Sequence, residues 1–292
     1  MASIPYDASR AALYTPERHE TLFAPDQTHT PTQWAVEAAR LTYYRAEESA
    51  AESARLDAAL ALAGFGAPTL FRDGATLAFG SLHAGDGSAL VAFRGTQPDE
   101  IRHLVTNLQA QQTEWTESGG RVHAGFSKAV RSVLPQITEW LAGEARQHSR
   151  LILAGHSLGA ALATLAATVL DPALLVTLGS PRVGDAEFVA ALADCHVIRL
   201  VDGCDIVTQL PPALSFYAHA GAVTYITCVD AACIDDPSPS LMEADRSKGR
   251  ALYAAEHAWK PGSVLLRDLA DHAPINYARA YFVSPPGFAH FV

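Results

Sequence analysis

The chain has 292 residues, of which 49% are hydrophobic and 18% charged, and its formal net charge is −10 at pH 7. This composition is globular rather than disordered, and the length suits one large α/β domain. The excess of acidic side chains argues against nucleic acid or an anionic membrane as a main partner. No apolar run reaches the roughly 18 residues of a membrane-spanning helix. The start of the chain lacks the continuous apolar segment of a secretory signal, so we expect a cytoplasmic protein, or an exported one whose leader was removed.

The N-terminal part predicts an arm followed by two helices. Residues 1–30 show no clear period and are expected to lie as an arm over the domain. Apolar residues recur at helical spacing in residues 31–45 and again in about 48–62. Gly64 follows the second pattern and is a suitable helix stop.

From residue 75 onwards the pattern predicts strands. Stretches beginning at Ala75 and Ser88 are separated by the turn-like sequence Gly-Asp-Gly and predict a β-hairpin. Beyond Gly95, helical and strand patterns alternate, which is typical of βαβ units in a mostly parallel sheet. The helices are predicted at about 99–109, about 124–145, about 158–170 and from Asp185, and the strands at 151–155, from Ala173 and from His196.

Residues 229–262 have no clear period and are expected to form a long excursion, a feature that is often functional in compact domains. The four cysteines, Cys195, Cys204, Cys228 and Cys233, lack the paired spacing of a zinc site, so we expect no metal. We expect free buried thiols, with a Cys228–Cys233 disulfide as the alternative in an exported protein.

The sequence GHSLG at residues 155–159 predicts a nucleophile elbow around Ser157. An apolar run precedes it and an alanine-rich helical stretch follows, which is the strand–turn–helix context that the elbow needs. Gly155 and Gly159 allow neighbouring chain to pass close to the strained serine. We interpret His156 as a packing or hydrogen-bonding residue rather than the base. The alternative is a glycine-flanked turn without catalytic function.

A nucleophilic serine needs a histidine base and a carboxylate that orients it. In α/β-hydrolases the acid and then the histidine follow the serine along the chain. Asp202 and Asp205 lie just beyond a predicted strand and are both candidates for the acid. Asp271 precedes a late histidine directly, but adjacent side chains generally point apart, so it is not the expected partner. The late histidines are His219, His257, His272 and His290.

Several blocks occur in a fixed order. They are VAFRGTQ at 91–97, VHAGF at 122–126, GHSLGAALA at 155–163, TLGSPRVGD at 177–185, DIVTQLPP at 205–212 and DH at 271–272. In this order the chain resembles the class 3 lipases, the fungal-lipase-like branch of the α/β-hydrolases, over about residues 75–282. The resemblance implies an α/β-hydrolase fold with a mostly parallel central sheet, helices on both faces and a lid helix. It implies Asp205 as the acid and His272 as the base. Thr208 stands where proline is common, a mild departure that leaves the Asp205 assignment intact.

Acyl transfer also needs donors for the developing oxyanion. One is normally the backbone N–H of the residue after the nucleophile, here Leu158. The resemblance implies Thr96 as the other, through its N–H and its hydroxyl. The alternative for the FRGT sequence is an ordinary strand end. His123 and the rest of the VHAGF block are interpreted as structural support.

Residues 97–112 include a predicted amphipathic helix with Pro98 at its first position. Its apolar stripe consists of Ile101, Leu104, Val105 and Leu108. In the resembling lipases a lid helix occupies this place and exposes its apolar face at a lipid interface, so we expect transient contact with lipid. The alternative is a permanently packed helix.

The sequence therefore predicts one α/β-hydrolase domain over residues 1–292 and a serine ester hydrolase that needs no cofactor. The leading hypothesis is a lipase acting on acylglycerols, with a small-molecule ester or lipid as substrate. Alternatives with the same chemistry are a feruloyl, other short-chain or polyester esterase and a phospholipase. A serine peptidase and a catalytically inactive lipase-fold binding scaffold are further alternatives. The set of Ser157, Asp205 and His272 argues against the scaffold.

Overall fold

The computed structural model describes residues 4–25, 27–96, 111–212 and 216–283. The predicted lid residues Ile101, Leu104, Val105 and Leu108 lie outside these ranges. Within them, the strands are β1 (Thr69–Asp73), β2 (Thr76–Leu82), β3 (Ala89–Phe93), β4 (Gln112–Glu114), β5 (Arg121–His123), β6 (Leu151–His156), β7 (Leu174–Leu178), β8 (Val197–Asp202), β9 (Val223–Ile226) and β10 (Cys233–Asp235). The helices are α1 (Arg10–Tyr14), α2 (Pro31–Leu41), α3 (Ala50–Leu62), α4 (Ala124–Ala142), α5 (Leu158–Leu170), α6 (Ala186–Ala190), α7 (Pro239–Glu256), α8 (Arg267–Ala270) and α9 (Pro274–Val283).

Eight of the described strands form one sheet in the order β1-β2-β3-β6-β7-β8-β9-β10. The four neighbouring pairs from β3 to β9 are parallel, and the pairs at both edges are antiparallel. Every residue of β3, β6 and β7 is buried. Continuous burial is typical of parallel strands covered on both faces, and it explains why these segments are apolar runs rather than alternating patterns. The predicted mostly parallel sheet is confirmed.

Helices cover both faces of the sheet. On one face α2 and α9 bury Leu41 and Tyr277 against Ile152 of β6 and its neighbours. On the other face α4 and α5 bury Ile137 and Leu165 in a second apolar cluster. Burying a side chain of this size contributes roughly 1.5–3 kcal/mol. The predicted α/β-hydrolase layers, with helices on both faces, are confirmed. None of the described helices is long and apolar enough to cross a membrane.

Two segments differ from the prediction. Strand β1 was not predicted; it extends the hairpin into a three-stranded meander, and only Phe71 of its residues is buried. The stretch 229–262, expected as a long excursion without clear period, contains β10 and the long helix α7. Helix α7 buries only Gly249 and Tyr253, so it lacks the apolar stripe by which amphipathic helices are recognised.

The N-terminal arm packs on the C-terminal segments. Ser9 pairs with Ser263 in an antiparallel bridge, and the N–H of Asp7 donates to Asn276 Oδ1 at 2.9 Å. Leu13 is buried together with Tyr253 in a separate apolar cluster. The arm therefore covers the chain segments that flank the late DH block.

The four cysteines are free thiols. The Sγ of Cys228 lies 3.7 Å from that of Cys204. The thiol next to Cys228 is therefore that of Cys204, just beyond the end of β8, and not that of Cys233, the partner in the alternative disulfide.

Candidate active site

The serine of the GHSLG motif lies in a sharp turn between β6 and α5. Ser157 has φ 58° and ψ −126°, a conformation that costs free energy for any residue with a side chain. Its N–H donates to the Leu178 carbonyl at 2.9 Å, and its own carbonyl accepts from the Ala160 N–H at 3.0 Å. The sheet and the first turn of α5 therefore hold the strained residue from both sides.

The two glycines of the motif are required by close backbone contacts. A Cβ on Gly155 would lie 2.2 Å from the carbonyl oxygen of Gly159. A Cβ on Gly159 would lie 2.1 Å from the carbonyl oxygen of Phe93. Real Cβ atoms essentially never approach backbone so closely. The turn can therefore bring α5 against the end of β3 only with glycine at both positions.

Three predicted residues form a continuous chain of hydrogen bonds. The Ser157 Oγ is 2.9 Å from His272 Nε2, and His272 Nδ1 is 2.8 Å from Asp205 Oδ2. All three residues are fully buried. Asp202, the second candidate for the acid, does not take this place, and neither of its carboxylate oxygens has a hydrogen-bond partner among the described residues.

Asp205 is held by two further donors. The Tyr277 hydroxyl donates to the same Oδ2 atom at 2.5 Å, and the Val207 N–H donates to Oδ1 at 2.9 Å. Burial and the nearby carboxylates raise the pKa of Tyr277 well above its ordinary value, so this hydroxyl stays a proton donor. Tyr277 was not predicted, because its position on α9 is typical of an ordinary buried aromatic residue.

His156 stands behind the triad rather than in it. Its Nε2 donates to the carbonyl of His272 at 2.9 Å, and its Nδ1 accepts from the Tyr43 hydroxyl at 2.8 Å. Burial, followed by the proximity of His272, lowers the pKa of His156 well below 6.5, so the ring stays neutral. This neutral ring links Tyr43, just beyond the end of α2, to the backbone of the candidate base.

The candidate oxyanion donors flank the elbow. Leu158 is the first residue of α5, where the leading N–H groups have no acceptor within the helix. Thr96 follows Gly95, whose Cβ, if present, would lie 3.3 Å from the Ser157 Cβ. The Thr96 hydroxyl is buried and has no hydrogen-bond partner in the part of the chain that the structure describes. The preceding Arg94 is ion-paired with Glu47, and both are buried.

A buried polar cluster lies behind the acid and the histidine. Asp271 pairs with the Arg267 Nε at 3.1–3.2 Å, accepts from the Tyr6 hydroxyl at 2.6 Å and accepts from the Cys204 N–H at 2.8 Å. Burial, and then the neighbouring Asp271, raises the pKa of Asp202 well above its ordinary value. We call these five residues the back cluster. The back cluster joins the N-terminal arm, the loop before Asp205 and the residue before His272. No local sequence pattern predicts it.

His123 caps a helix. Its Nδ1 accepts from the N–H groups of Gly125 and Phe126 at 3.2 and 3.4 Å. These are the free N–H groups at the start of α4, so the side chain stabilises the helix start. The prediction of a supporting role for this block agrees with that position.

Comparison with known proteins gives a consistent picture. Residues 90–215 match the family described as Lipase (class 3). A lipase of Rhizomucor miehei is 31% identical over 151 residues, which is 47% of this chain and 41% of that protein. The secreted mono- and diacylglycerol lipase 1 of Fusarium solani is 36% identical over 140 residues, 44% of this chain and 41% of that protein. The alignments thus span about two fifths of these relatives' length.

The solved structure of lipase II from Rhizopus niveus shares the fold. It superposes with a TM-score of 0.56 over 67% of this chain and 79% of that chain, at 24% sequence identity. At this identity the likeness concerns the arrangement of sheet and helices alone.

Proposed function

We propose that this chain, which belongs to the class 3 lipase family over residues 90–215, is a serine hydrolase of carboxylic esters of the acylglycerol type. The proposal rests on the chain of hydrogen bonds that links Ser157 to His272 and His272 to Asp205. A hydroxyl on an imidazole, with a carboxylate on the other ring nitrogen, is the arrangement that turns serine into a nucleophile at neutral pH.

In the first half of the reaction Ser157 Oγ attacks the ester carbonyl carbon while its proton passes to His272 Nε2. Asp205 accepts the Nδ1–H bond throughout, which keeps the ring in the required tautomer and stabilises its cationic form. The carbonyl oxygen becomes negative, and the N–H of Leu158 with the N–H and hydroxyl of Thr96 donate to it. The alcohol leaves with the proton from His272, and Ser157 remains acylated.

In the second half a water molecule attacks the acyl-enzyme. His272 takes a proton from the water, the same donors stabilise the second oxyanion, and Ser157 leaves with the proton from His272. The carboxylic acid is the second product. Each step moves one proton between an oxygen and the same ring nitrogen, and no cofactor enters the balance.

The acylglycerol preference is inferred from the relatives. Their names are lipase and mono- and diacylglycerol lipase. In this chain the apolar stripe Ile101, Leu104, Val105 and Leu108 follows the candidate oxyanion residue Thr96 directly. We propose that this stripe is a lid face that opens at a lipid surface.

Hydrolysis of p-nitrophenyl esters from acetyl to palmitoyl tests the proposal. We expect the wild type to cleave the series with a preference for longer acyl chains, and Ser157→Ala to lose at least about 10⁴-fold in kcat. Ser132→Ala is the matched control, because the Ser132 hydroxyl donates to the Ala129 carbonyl on α4 and the variant should keep full activity. Activity that survives in Ser157→Ala would exclude the mechanism, and a preference for acetyl would replace the lipase by a short-chain esterase.

The lid is tested separately with one long-chain ester. If residues 97–112 form a mobile lid, the rate should rise abruptly when the ester passes its solubility limit. A smooth saturation curve through that concentration would contradict the lid while leaving the triad proposal untouched.

A further inference from the structure

Two buried thiols touch each other beside the candidate acid. The Sγ atoms of Cys204 and Cys228 are 3.7 Å apart; Cys204 is fully buried and Cys228 is 6% exposed. Cys204 directly precedes Asp205, and its N–H donates to the Asp271 carboxylate. The mechanism above uses neither thiol.

The backbone places these cysteines opposite each other. In the parallel ladder of β8 and β9, Asp202 pairs with Ile226, and each cysteine follows two residues later. The N–H of Gly203 donates to the Ile226 carbonyl at 2.9 Å, so the pairing continues for one residue beyond the ladder. Neighbouring strands lie about 4.8 Å apart. This spacing falls within the roughly 4.4–6.8 Å that separates the Cα atoms of disulfide-linked cysteines.

Surrounding glycines confine one sulfur. A Cβ on Gly203 or on Gly249 would lie 2.6 Å from the Cys228 Sγ. The loop before Asp205 and helix α7 therefore enclose this sulfur from two sides, and its nearest reactive neighbour is Cys204. A disulfide requires the two sulfurs to approach to about 2.05 Å.

A metal ion fits this place less well than a disulfide. Ligand atoms of Cys204, Cys228 and Asp271 lie within 4.8 Å of one another. Both oxygens of Asp271, however, already accept hydrogen bonds, including those from Arg267 and Tyr6. The guanidinium charge of Arg267 would also repel a cation at this position.

We propose that Cys204 and Cys228 are a disulfide site that a small-molecule disulfide of the glutathione class oxidises. During folding, before the two sulfurs are enclosed, Cys228 loses its proton and attacks the oxidant, which releases one small thiol and leaves a mixed disulfide. Cys204 then loses its proton and attacks the Cys228 sulfur, which releases the second small thiol. Two protein thiols give up two protons and two electrons, and the oxidant is reduced to two thiols.

The disulfide fastens the loop of the candidate acid to the end of β9. Because Cys204 also donates to Asp271, the same bond supports the residue before His272. The hydrogen bond with Cys204, followed by burial, raises the pKa of the Cys228 thiol. Thiolate is therefore scarce, and thiol–disulfide exchange in the folded protein is slow. The bond therefore forms mainly during folding in an oxidising environment, and it restricts the unfolded chain.

Peptide mapping under two redox conditions tests the site. The chain is produced in a reducing bacterial cytoplasm and, with an export signal, in the oxidising periplasm; a cytoplasmic sample is also refolded in oxidised and reduced glutathione. Free thiols are alkylated after denaturation, and the unreduced digest is analysed by mass spectrometry. We expect a Cys204–Cys228 peptide pair lacking two hydrogen atoms in the oxidised samples, and a Tm about 5 °C above that of the reduced protein.

Variants identify the pair. Cys195→Ser is the matched control, because the Cys195 thiol bonds the Pro172 carbonyl, and it should keep both the linked peptide and the Tm difference. Cys228→Ser should lose both. Alkylation of Cys204 and Cys228 in the refolded oxidised sample, or a link from Cys228 to Cys233, would overturn the proposal. The map of the wild type decides this outcome even if Cys228→Ser fails to fold, and it does not depend on ester hydrolysis.

Discussion

Ser157 and His272 meet at 2.9 Å, yet the segments that carry them are fixed in different ways. The elbow is held by backbone: β6 has a parallel neighbour on each side, and two glycines allow α5 to touch the end of β3. The acid and the histidine lie in loops instead. Side-chain hydrogen bonds and ion pairs from remote parts of the chain hold these loops, through Tyr277 and the back cluster.

The elbow and the two loops should therefore respond differently to substitutions. A backbone-held turn depends mainly on side-chain volume at a few positions. A loop held by buried charges depends on each partner, because a buried charge that loses its partner costs several kcal/mol. The predictions that follow use this contrast.

The largest effect is expected for the candidate acid. Asp205→Asn should lower kcat about 10⁴-fold, because an amide no longer holds the imidazole in the required tautomer or stabilises its charge. Asp202→Asn is the matched control: Asp202 lies on the preceding strand end and makes no bond to His272, so its kcat should stay within about threefold. Kinetics with p-nitrophenyl butyrate would measure both. An equal loss in the two variants would contradict the assignment.

The back cluster should carry the larger effect on stability. Asp271→Asn leaves Arg267 buried without its anion and should lower the free energy of unfolding by about 3–5 kcal/mol in urea titrations. Asp268→Asn provides the comparison, since Asp268 pairs with the half-exposed Arg250 and should cost less than about 1 kcal/mol. Similar losses for both variants would contradict the claim that burial of the Arg267–Asp271 ion pair determines the cost of breaking it.

Volume should decide the outcome at the elbow. Gly159→Ala brings a Cβ against the Phe93 carbonyl, so α5 must shift; we expect a loss of about 2 kcal/mol in stability and roughly 100-fold in kcat. Gly66→Ala is the control, because its Cβ would meet the Leu82 carbonyl at an ordinary 3.7 Å. Wild-type kinetics in Gly159→Ala would show that the elbow tolerates displacement.

The smallest effect concerns pH. Burial raises the pKa of Asp202 above its ordinary 3.8, so the folded chain binds more protons than the unfolded chain above that pH. The free energy of unfolding contributed by this group is therefore present below about pH 4 and is lost as pH rises through the folded pKa. Asp202→Asn should remove this loss and raise Tm at pH 8 more than at pH 5. An equal Tm change at both pH values would contradict the raised pKa.

The elbow has the opposite dependence on pH. The pKa of His156 is lowered, so the unfolded chain binds the extra proton and stability falls as pH drops below 6.5. Low pH therefore destabilises the fold by protonating His156, whereas high pH destabilises it by ionising Asp202 in the back cluster. Measuring Tm over a series of pH values would detect both changes in stability.

Local sequence identified the elbow because its geometry is determined by adjacent residues. Two glycines around a serine, an apolar strand before and a small-residue helix after are sufficient to predict strand, turn and helix near Ser157. The predicted bounds of the strands at 151–155 and from Ala173 agree with β6 and β7. The choice of Asp205 over Asp202 needed the family resemblance, because both follow the same strand.

The rest depended on contacts between distant parts of the chain. Tyr6 meets Asp271 across 265 positions, and no window of sequence contains both. Helix α7 was missed because it is mostly exposed, although Ser238 and Pro239 supply a cap and a first helical residue that could have marked its start. The thiol pair was missed because spacing along the chain suggested Cys233 as the partner of Cys228, whereas strand order places Cys204 beside it.

Covalent labelling tests whether Ser157 is the nucleophile. The protein is incubated with a p-nitrophenyl phosphate triester, release of nitrophenol is followed, and the digest is mapped by mass spectrometry. We expect one phosphoryl group per chain, on the peptide that contains Ser157, with loss of ester hydrolysis in proportion to labelling. His272→Ala should slow this labelling at least about 10³-fold. Complete inactivation with the phosphoryl group on another residue, or ester hydrolysis that persists after full labelling of Ser157, would contradict this role of Ser157.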